Sequence, residues 1–212
     1  MECCSEDILE KQFDEEKVAS RVNQYNSKGI NKETKILIES LKSMGIDGYS
    51  LLDIGCGLGL IGAELLKSGI AKVNNIEASS SYLEAAKTES KKRNLTDKTS
   101  FTLGNFVDVA EQTSAADIVT LDKVICCYDE LEPLVKSSSD KALKLYGIIY
   151  PRDSWWTKAA IGIENLVRKI KGNTFRVFVY PTDKVDNLIK KQGLQQVFYK
   201  AMMVWQIVIY SR

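Results

Sequence analysis

The stretch LLDIGCGLGLIGAELL, Leu51 to Leu66, constrains the fold of this chain more than any other. It opens with apolar residues suited to a strand and closes with a run suited to a helix. Between and into these fall glycines at 55, 57, 59 and 62. Glycine reaches positive φ at no steric cost and lets the backbone approach a ligand closely. The chain can therefore turn sharply from strand to helix, leaving the helix's first N–H groups free to face a bound group. A strand, a glycine loop and a helix in that order open a βαβ unit, which implies a parallel sheet.

The rest of the chain continues the alternation. YSLLDIG, AKVNNIEA, TSFTLG, ADIVTLDKVICC and KLYGIIYP each read as, or contain, a short strand. The segments between them carry helical periodicity: LIGAELLKSG, then SSSYLEAAKTESKKRN with serine at its cap and basic residues in its last turn, then DELEPLVKSSSDKAL. Residues 1–48 form a helical N-terminal cap, broken near YNSKGIN, with Ile36, Leu37, Ile38 and Leu41 as an apolar stripe. At the far end TDKVDNLIKKQG is a helix, and LQQVFYKAM and VWQIVIYS are strands too close for a crossover, so they pair antiparallel. The expected fold is a single α/β domain over 1–212: a Rossmann-like, mostly parallel sheet with a C-terminal antiparallel hairpin and helices on both faces.

Residues 152–181 are extra to this alternation and serve as a lid, a substrate wall or a helix covering the sheet. Trp156, Ala159, Ala160, Ile163, Leu166, Val167 and Ile170 recur at helical spacing, and FRVFVY alternates as a strand does. Arg168, Lys169, Lys171 and Arg176 read as a charged helix end.

Composition narrows the function classes. With 212 residues and a net charge of +1, the total charge implies no nucleic-acid partner. No apolar run approaches the roughly 18 residues that span a bilayer, and the polar, acidic start has no secretory h-region. A cytoplasmic protein with no membrane insertion is expected. Cysteines 3, 4, 56, 126 and 127 lack C-x-x-C spacing and are expected to be reduced. There is no histidine, which removes the commonest general base and metal ligand, so no metal is expected.

The glycine loop admits two readings: G-x-G-x-x-G from Gly57, or D-x-G-x-G-x-G from Asp53. Glu77, ending the second strand, suits the ribose of an adenine nucleoside under either. Asp53 discriminates, because a carboxylate at the strand mouth repels a pyrophosphate and attracts an ammonium. S-adenosylmethionine carries an ammonium and a sulfonium and no phosphate. An NAD-dependent oxidoreductase and a non-catalytic cofactor-binding protein are the alternatives.

LLDIGCGLG, Glu77 at its distance and the closing hairpin together resemble class I S-adenosylmethionine-dependent methyltransferases, whose sheet has seven strands. The resemblance implies that Asp53, Gly55, Cys56, Gly57 and Gly59 form the loop at the methionine and ribose end. It implies that Glu77 holds the ribose, with Ala78 and Ser79 beside the adenine. In LGNFVD, Asn105 stands where the family usually has an aspartate toward the adenine amine, and asparagine can pair with an adenine edge. Phe106 offers a stacking face, and Asp122 lines the methyl-donor pocket. LDKVICCYDELEPLV, YPRDSWW and YNSKGI are similar to a branch related to magnesium-protoporphyrin O-methyltransferase.

The acceptor is expected to be a small molecule methylated on oxygen. An N/D-P-P-Y/F motif of base-methylating enzymes is absent after the fourth strand. A carboxylate is ionised at neutral pH and needs no general base, so transfer reduces to positioning and water exclusion. Arg152 is a candidate clamp for such a carboxylate, with Trp155, Trp156 and Tyr128 as an apolar wall. For a phenol, Asp122 or Tyr25 is the candidate assistant.

Overall fold

The computed structural model describes residues 6–212. Cys3 and Cys4 lie outside them. Helices α1 (Glu6–Gln12), α2 (Glu15–Lys28) and α3 (Lys32–Lys42) precede the sheet. The N-terminal cap thus breaks twice, where side chains cap the next helix. Asp14 accepts from the Lys17 N–H at 3.0 Å, and Asn31 from the Thr34 N–H at 2.9 Å. Gly29, at φ 71°, ends α2.

Strands β1 (Ser50–Ile54), β2 (Lys72–Glu77), β3 (Thr99–Leu103), β4 (Ala116–Asp122), β5 (Ala142–Pro151), β6 (Gln195–Ala201) and β7 (Trp205–Ser211) form one sheet in the order β3-β2-β1-β4-β5-β7-β6. The first five are parallel, and β7 runs antiparallel to both β5 and β6. Helices α4 (Leu60–Leu66), α5 (Ser80–Lys92), α6 (Phe106–Val109), α7 (Leu131–Asp140), α8 (Trp155–Ile170) and α9 (Thr182–Lys190) complete the order.

The two-residue period of a strand sends neighbouring apolar residues to opposite faces. Ile118, Ile149 and Ile207 pack with Leu37 and Leu41 of α3 and Leu65 of α4. Their neighbours Val119, Ile148 and Val208 pack on the other face with Leu134 of α7 and Val185 and Ile189 of α9. Burying each such side chain contributes about 1.5–3 kcal/mol. Gly147 leaves room for Leu37, whose Cδ1 would lie 2.9 Å from a Cβ there and would have to shift.

FRVFVY does not join the sheet, contrary to its alternation. Its N–H groups go elsewhere: Phe178 donates to the Cys126 carbonyl at 2.8 Å, and Val177 to Asn165 Oδ1 at 3.0 Å. Among the described residues no helix is long and apolar enough to cross a membrane.

Candidate cofactor and acceptor site

The strand order reverses between β1 and β4, and a crevice opens at the C-terminal ends of such strands. Two adjoining cavities of about 330 Å³ each lie there. They share Arg21, Gly55, Gly57, Tyr82 and Asp122. This volume suits a small-molecule ligand.

The glycine loop forms the floor. Gly55 and Gly57 take φ of 64° and 55°, and a Cβ on Gly55 would sit 2.5 Å from Val124 Cγ2. Gly62 belongs to the packing beneath, where a Cβ would meet Val73 Cγ1 at 2.8 Å. Gly59 begins α4 in the left-handed region and borders neither cavity.

Three acids surround the loop, Asp53 and Glu77 buried and Asp122 half-buried. Asp53 Oδ1 accepts from the Thr120 hydroxyl at 2.6 Å, while Oδ2 is buried with no hydrogen-bond partner. Burial, reinforced by Asp122 and Glu77, pushes the Asp53 carboxyl up to about 7. Glu77 is held from inside: Oε2 accepts from the Gly57 N–H at 2.8 Å, and Oε1 from Ala78 and Ser79 at 2.9 and 3.1 Å. Burial still raises its carboxyl, against those three donors. Asp122 accepts from the Thr34 hydroxyl, and its Oδ1 is buried without a hydrogen-bond partner. Burial raises this carboxyl too. The next residue, Lys123, has φ 62°, a strained backbone for a side chain of that size, and its Nζ lies 3.9 Å from Asp122 Oδ1.

The first cavity is bordered by Tyr25, Asp53 and Cys56, the second by Glu77, Ala78, Phe106 and Tyr128. Tyr25's hydroxyl accepts from the Arg93 guanidinium. Burial pushes the Cys56 thiol up, which makes it a small inert filler. Ser79 caps α5 and donates its hydroxyl to the Phe13 carbonyl at 2.7 Å, so it anchors the N-terminal helices and borders neither cavity. Asn105 caps α6, and its Oδ1 also accepts from the Tyr128 hydroxyl at 2.5 Å. With that oxygen engaged, Asn105 borders neither cavity, and only its amide donors remain.

Arg152, Trp155 and Trp156, the candidate substrate contacts, border neither cavity. β4 separates β5 from β1, and β5 pairs with β7 as far as Pro151 opposite Trp205. The chain therefore leaves β5 toward the β6–β7 turn: Arg152 donates to the Met202 carbonyl at 3.0 Å and Trp156 Nε1 to the Met203 carbonyl at 3.4 Å. Beside Tyr25 and Lys28, which belong to YNSKGI, stand residues the motifs do not mark. Arg21, Gln24, Tyr25 and Lys28 line the first cavity from one face of α2, Tyr82 enters from α5, and Leu9 and Phe13 cover the second. The spacing of i, i+3, i+4 and i+7 along α2 is the signal that could have found that face.

A doubly wound sheet with a closing antiparallel hairpin, a glycine loop after β1 and an acid after β2 defines a nucleoside-cofactor-binding α/β class. Residues 15–121, about half of the chain, match the methyltransferase small domain, and the chain belongs to that family. Among curated relatives, the mitochondrial ubiquinone biosynthesis O-methyltransferase of Candida albicans is 33% identical over 138 residues, 62% of this chain and 42% of that protein. The ribosomal protein L11 methyltransferase of Photobacterium profundum is 27% identical over 110 residues, 51% of this chain and 36% of that protein. The matches thus span about two fifths of these relatives' lengths. Among solved structures, magnesium protoporphyrin IX methyltransferase from Synechocystis PCC 6803 with bound SAH superposes with a TM-score of 0.74 at 14% identity, over 97% of this chain and 99% of that one.

Proposed function

We propose that this chain transfers a methyl group from S-adenosylmethionine to an oxygen of a small or medium organic acceptor, a carboxylate or a phenol. The observation that carries the reading is the pair of joined cavities, each bordered by Asp122 and the glycine loop, with a buried carboxylate oxygen that accepts no hydrogen bond on each of Asp53 and Asp122. Those atoms fit a cofactor that is cationic and carries no phosphate. Asp53 and the loop at Gly55 and Gly57 suit its amino-acid end. Glu77, whose oxygens retain acceptor capacity beyond the three backbone donors, suits ribose hydroxyls, and Phe106 the adenine. When bound, the cofactor supplies an electrophilic methyl group on a sulfonium.

The chain's own part is positioning and exclusion of water. Phe13, between α1 and α2, meets Tyr82 edge-on at 6.0 Å, and both line the second cavity. Arg21 and Lys28 bring cations to the first cavity, where an anionic acceptor would be held. For a phenol, Asp122 stands ready to take the proton, its affinity for one already raised by burial. The O-methyltransferase among the relatives supports the oxygen acceptor, and the L11 methyltransferases make a protein acceptor the outcome to test against.

An acceptor screen that reads S-adenosylhomocysteine release decides the matter. With a carboxylate acceptor the single-turnover rate should be nearly flat from about pH 6 to 9, since that group has already lost its proton. A rate rising about tenfold per pH unit there, or turnover only with a protein or amine acceptor, would contradict the carboxylate reading.

A further inference from the structure

α8 turns its apolar face to solvent. Trp156, Ala159, Ile163, Leu166 and Ile170 recur at spacings of three and four along it, and Trp155 and Val167 widen the stripe. An amphipathic helix normally buries such a stripe. Here the opposite face is the buried one: Thr157 and Ile161 turn inward, and Asn165 binds the Val177 carbonyl at 2.8 Å on that side. Trp155 and Ile170 are each 77% exposed and Ile163 65%. Met203, 80% exposed, extends the patch beside Trp156 at the β6–β7 turn.

The charge around this stripe is one-sided. From Arg152 to Arg176 six residues are basic and two acidic, although the whole chain carries only +1. Both acids are spoken for, Asp153 by Lys158 and Glu164 by Arg168. Lys169 and Lys171 make no ion pair among the described residues.

We propose that α8 is a docking surface for an anionic lipid bilayer. It lies in the interface plane, its apolar stripe at the acyl boundary and its unpaired lysines among the headgroup phosphates. A helix of 16 residues is about 24 Å long, too short to cross the hydrocarbon core, so it lies on the bilayer. The tryptophans at its N-terminal end suit the headgroup level. A second copy of the chain is the poorer occupant. A two-fold contact presses the same patch against itself, and the two acids between Arg152 and Arg176 are already paired, so it brings no partner for Lys169 and Lys171. The proposal does not rest on the methyl-transfer reading.

Vesicle flotation of the full chain tests it, using phosphatidylcholine alone and phosphatidylcholine with roughly 30 mol% phosphatidylserine. The protein should float with the anionic vesicles, far less with the neutral ones, and less as salt rises. The double variant K169Q/K171Q should lower partitioning roughly tenfold or more. The triple variant I163S/L166S/I170S should abolish flotation while keeping the wild-type circular dichroism and melting temperature, because those side chains are exposed. Brominated lipid should quench tryptophan fluorescence in the wild type and not in the triple variant. Absence of flotation with either vesicle, equal flotation with both, or flotation unchanged in the triple variant would each overturn the proposal. So would a dimer in analytical ultracentrifugation that the triple variant dissociates, which assigns the stripe to a second copy.

Discussion

Asp53 concentrates the site's chemistry in one side chain. Its carboxyl is raised by burial from an ordinary 3.8 to about 7 in the folded chain, so it ionises near neutral pH. A carboxyl whose folded pKa is raised favours the folded state at low pH and loses that contribution as pH rises through the folded value. The wild type should therefore lose stability relative to Asp53→Asn between about pH 4 and 7, in denaturant melts of both proteins. Asp122 and Glu77 shift in the same direction, so the difference between the two proteins is what isolates Asp53. A cation bound at Oδ2 favours the ionised form. Binding of S-adenosylmethionine at about pH 6 should thus release a proton, seen as a dependence of the calorimetric heat on buffer ionisation enthalpy. If Asp53→Asn releases as many protons as the wild type, another group makes the contact. Glu77→Gln replaces one acceptor oxygen by a donor and strands either the Gly57 N–H or those of Ala78 and Ser79. It should cost about 1–3 kcal/mol of stability and weaken cofactor binding as well, both readable by thermal melts with and without S-adenosylhomocysteine.

At the scale of elements, two pieces decide whether the site forms. The loop between β1 and α4 works only with glycine at 55, where both backbone and space forbid a side chain. Gly55→Ala adds a left-handed strain of about 1–2 kcal/mol to the clash with Val124. The loop should lose cofactor affinity even where circular dichroism shows the fold retained. The N-terminal helices form the other piece. They are tied down by Glu10, which accepts from the Ser80 N–H at 3.0 Å, by the Ser79 hydroxyl on the Phe13 carbonyl, and by Phe13 against Tyr82 and Phe175. These ties, with Arg93 on the Tyr25 hydroxyl and Asn173 on Gln12, run through side chains, so α1 and α2 should exchange amide hydrogens faster than β1 and β4, and slow on addition of S-adenosylhomocysteine. Equal protection of α1 and the central strands in the free protein would show a fixed cover instead. The segment 152–181, read from sequence as a lid or wall, borders neither cavity through α8; its later part meets Phe13, which lines the second cavity, through Phe175.

For the molecule as a whole, a ligand seated between β1 and β4 binds only the folded chain. S-adenosylhomocysteine at a hundred times its Kd should stabilise the fold by about 2.7 kcal/mol in denaturant or thermal unfolding. NAD and NADP should shift it little, because Asp53 and Asp122 disfavour a pyrophosphate at the same turn. Tight NAD binding without a response to S-adenosylhomocysteine would sink the methyl-transfer reading.

What the sequence determined by itself was local. Apolar runs of strand length, helical periodicity between them and four closely spaced glycines specify the βαβ order, because period and backbone freedom are properties of neighbouring residues. The closing hairpin was legible from the shortness of its join, and Asp53 and Glu77 from their places at strand ends. Tertiary structure decided what depends on residues far apart. Arg21 and Tyr82 meet the glycine loop only because α2 and α5 pack across it. FRVFVY, a strand by pattern, stays outside the sheet, its N–H groups held by the Cys126 carbonyl and Asn165. Arg152 and the tryptophan pair, one turn beyond β5, were carried to the β6–β7 turn because β4 stands between β5 and the loop. The stripe of α8 shows the same division: its apolar period was written in the chain, but only packing determined that the opposite face, through Thr157 and Ile161, would be the one buried.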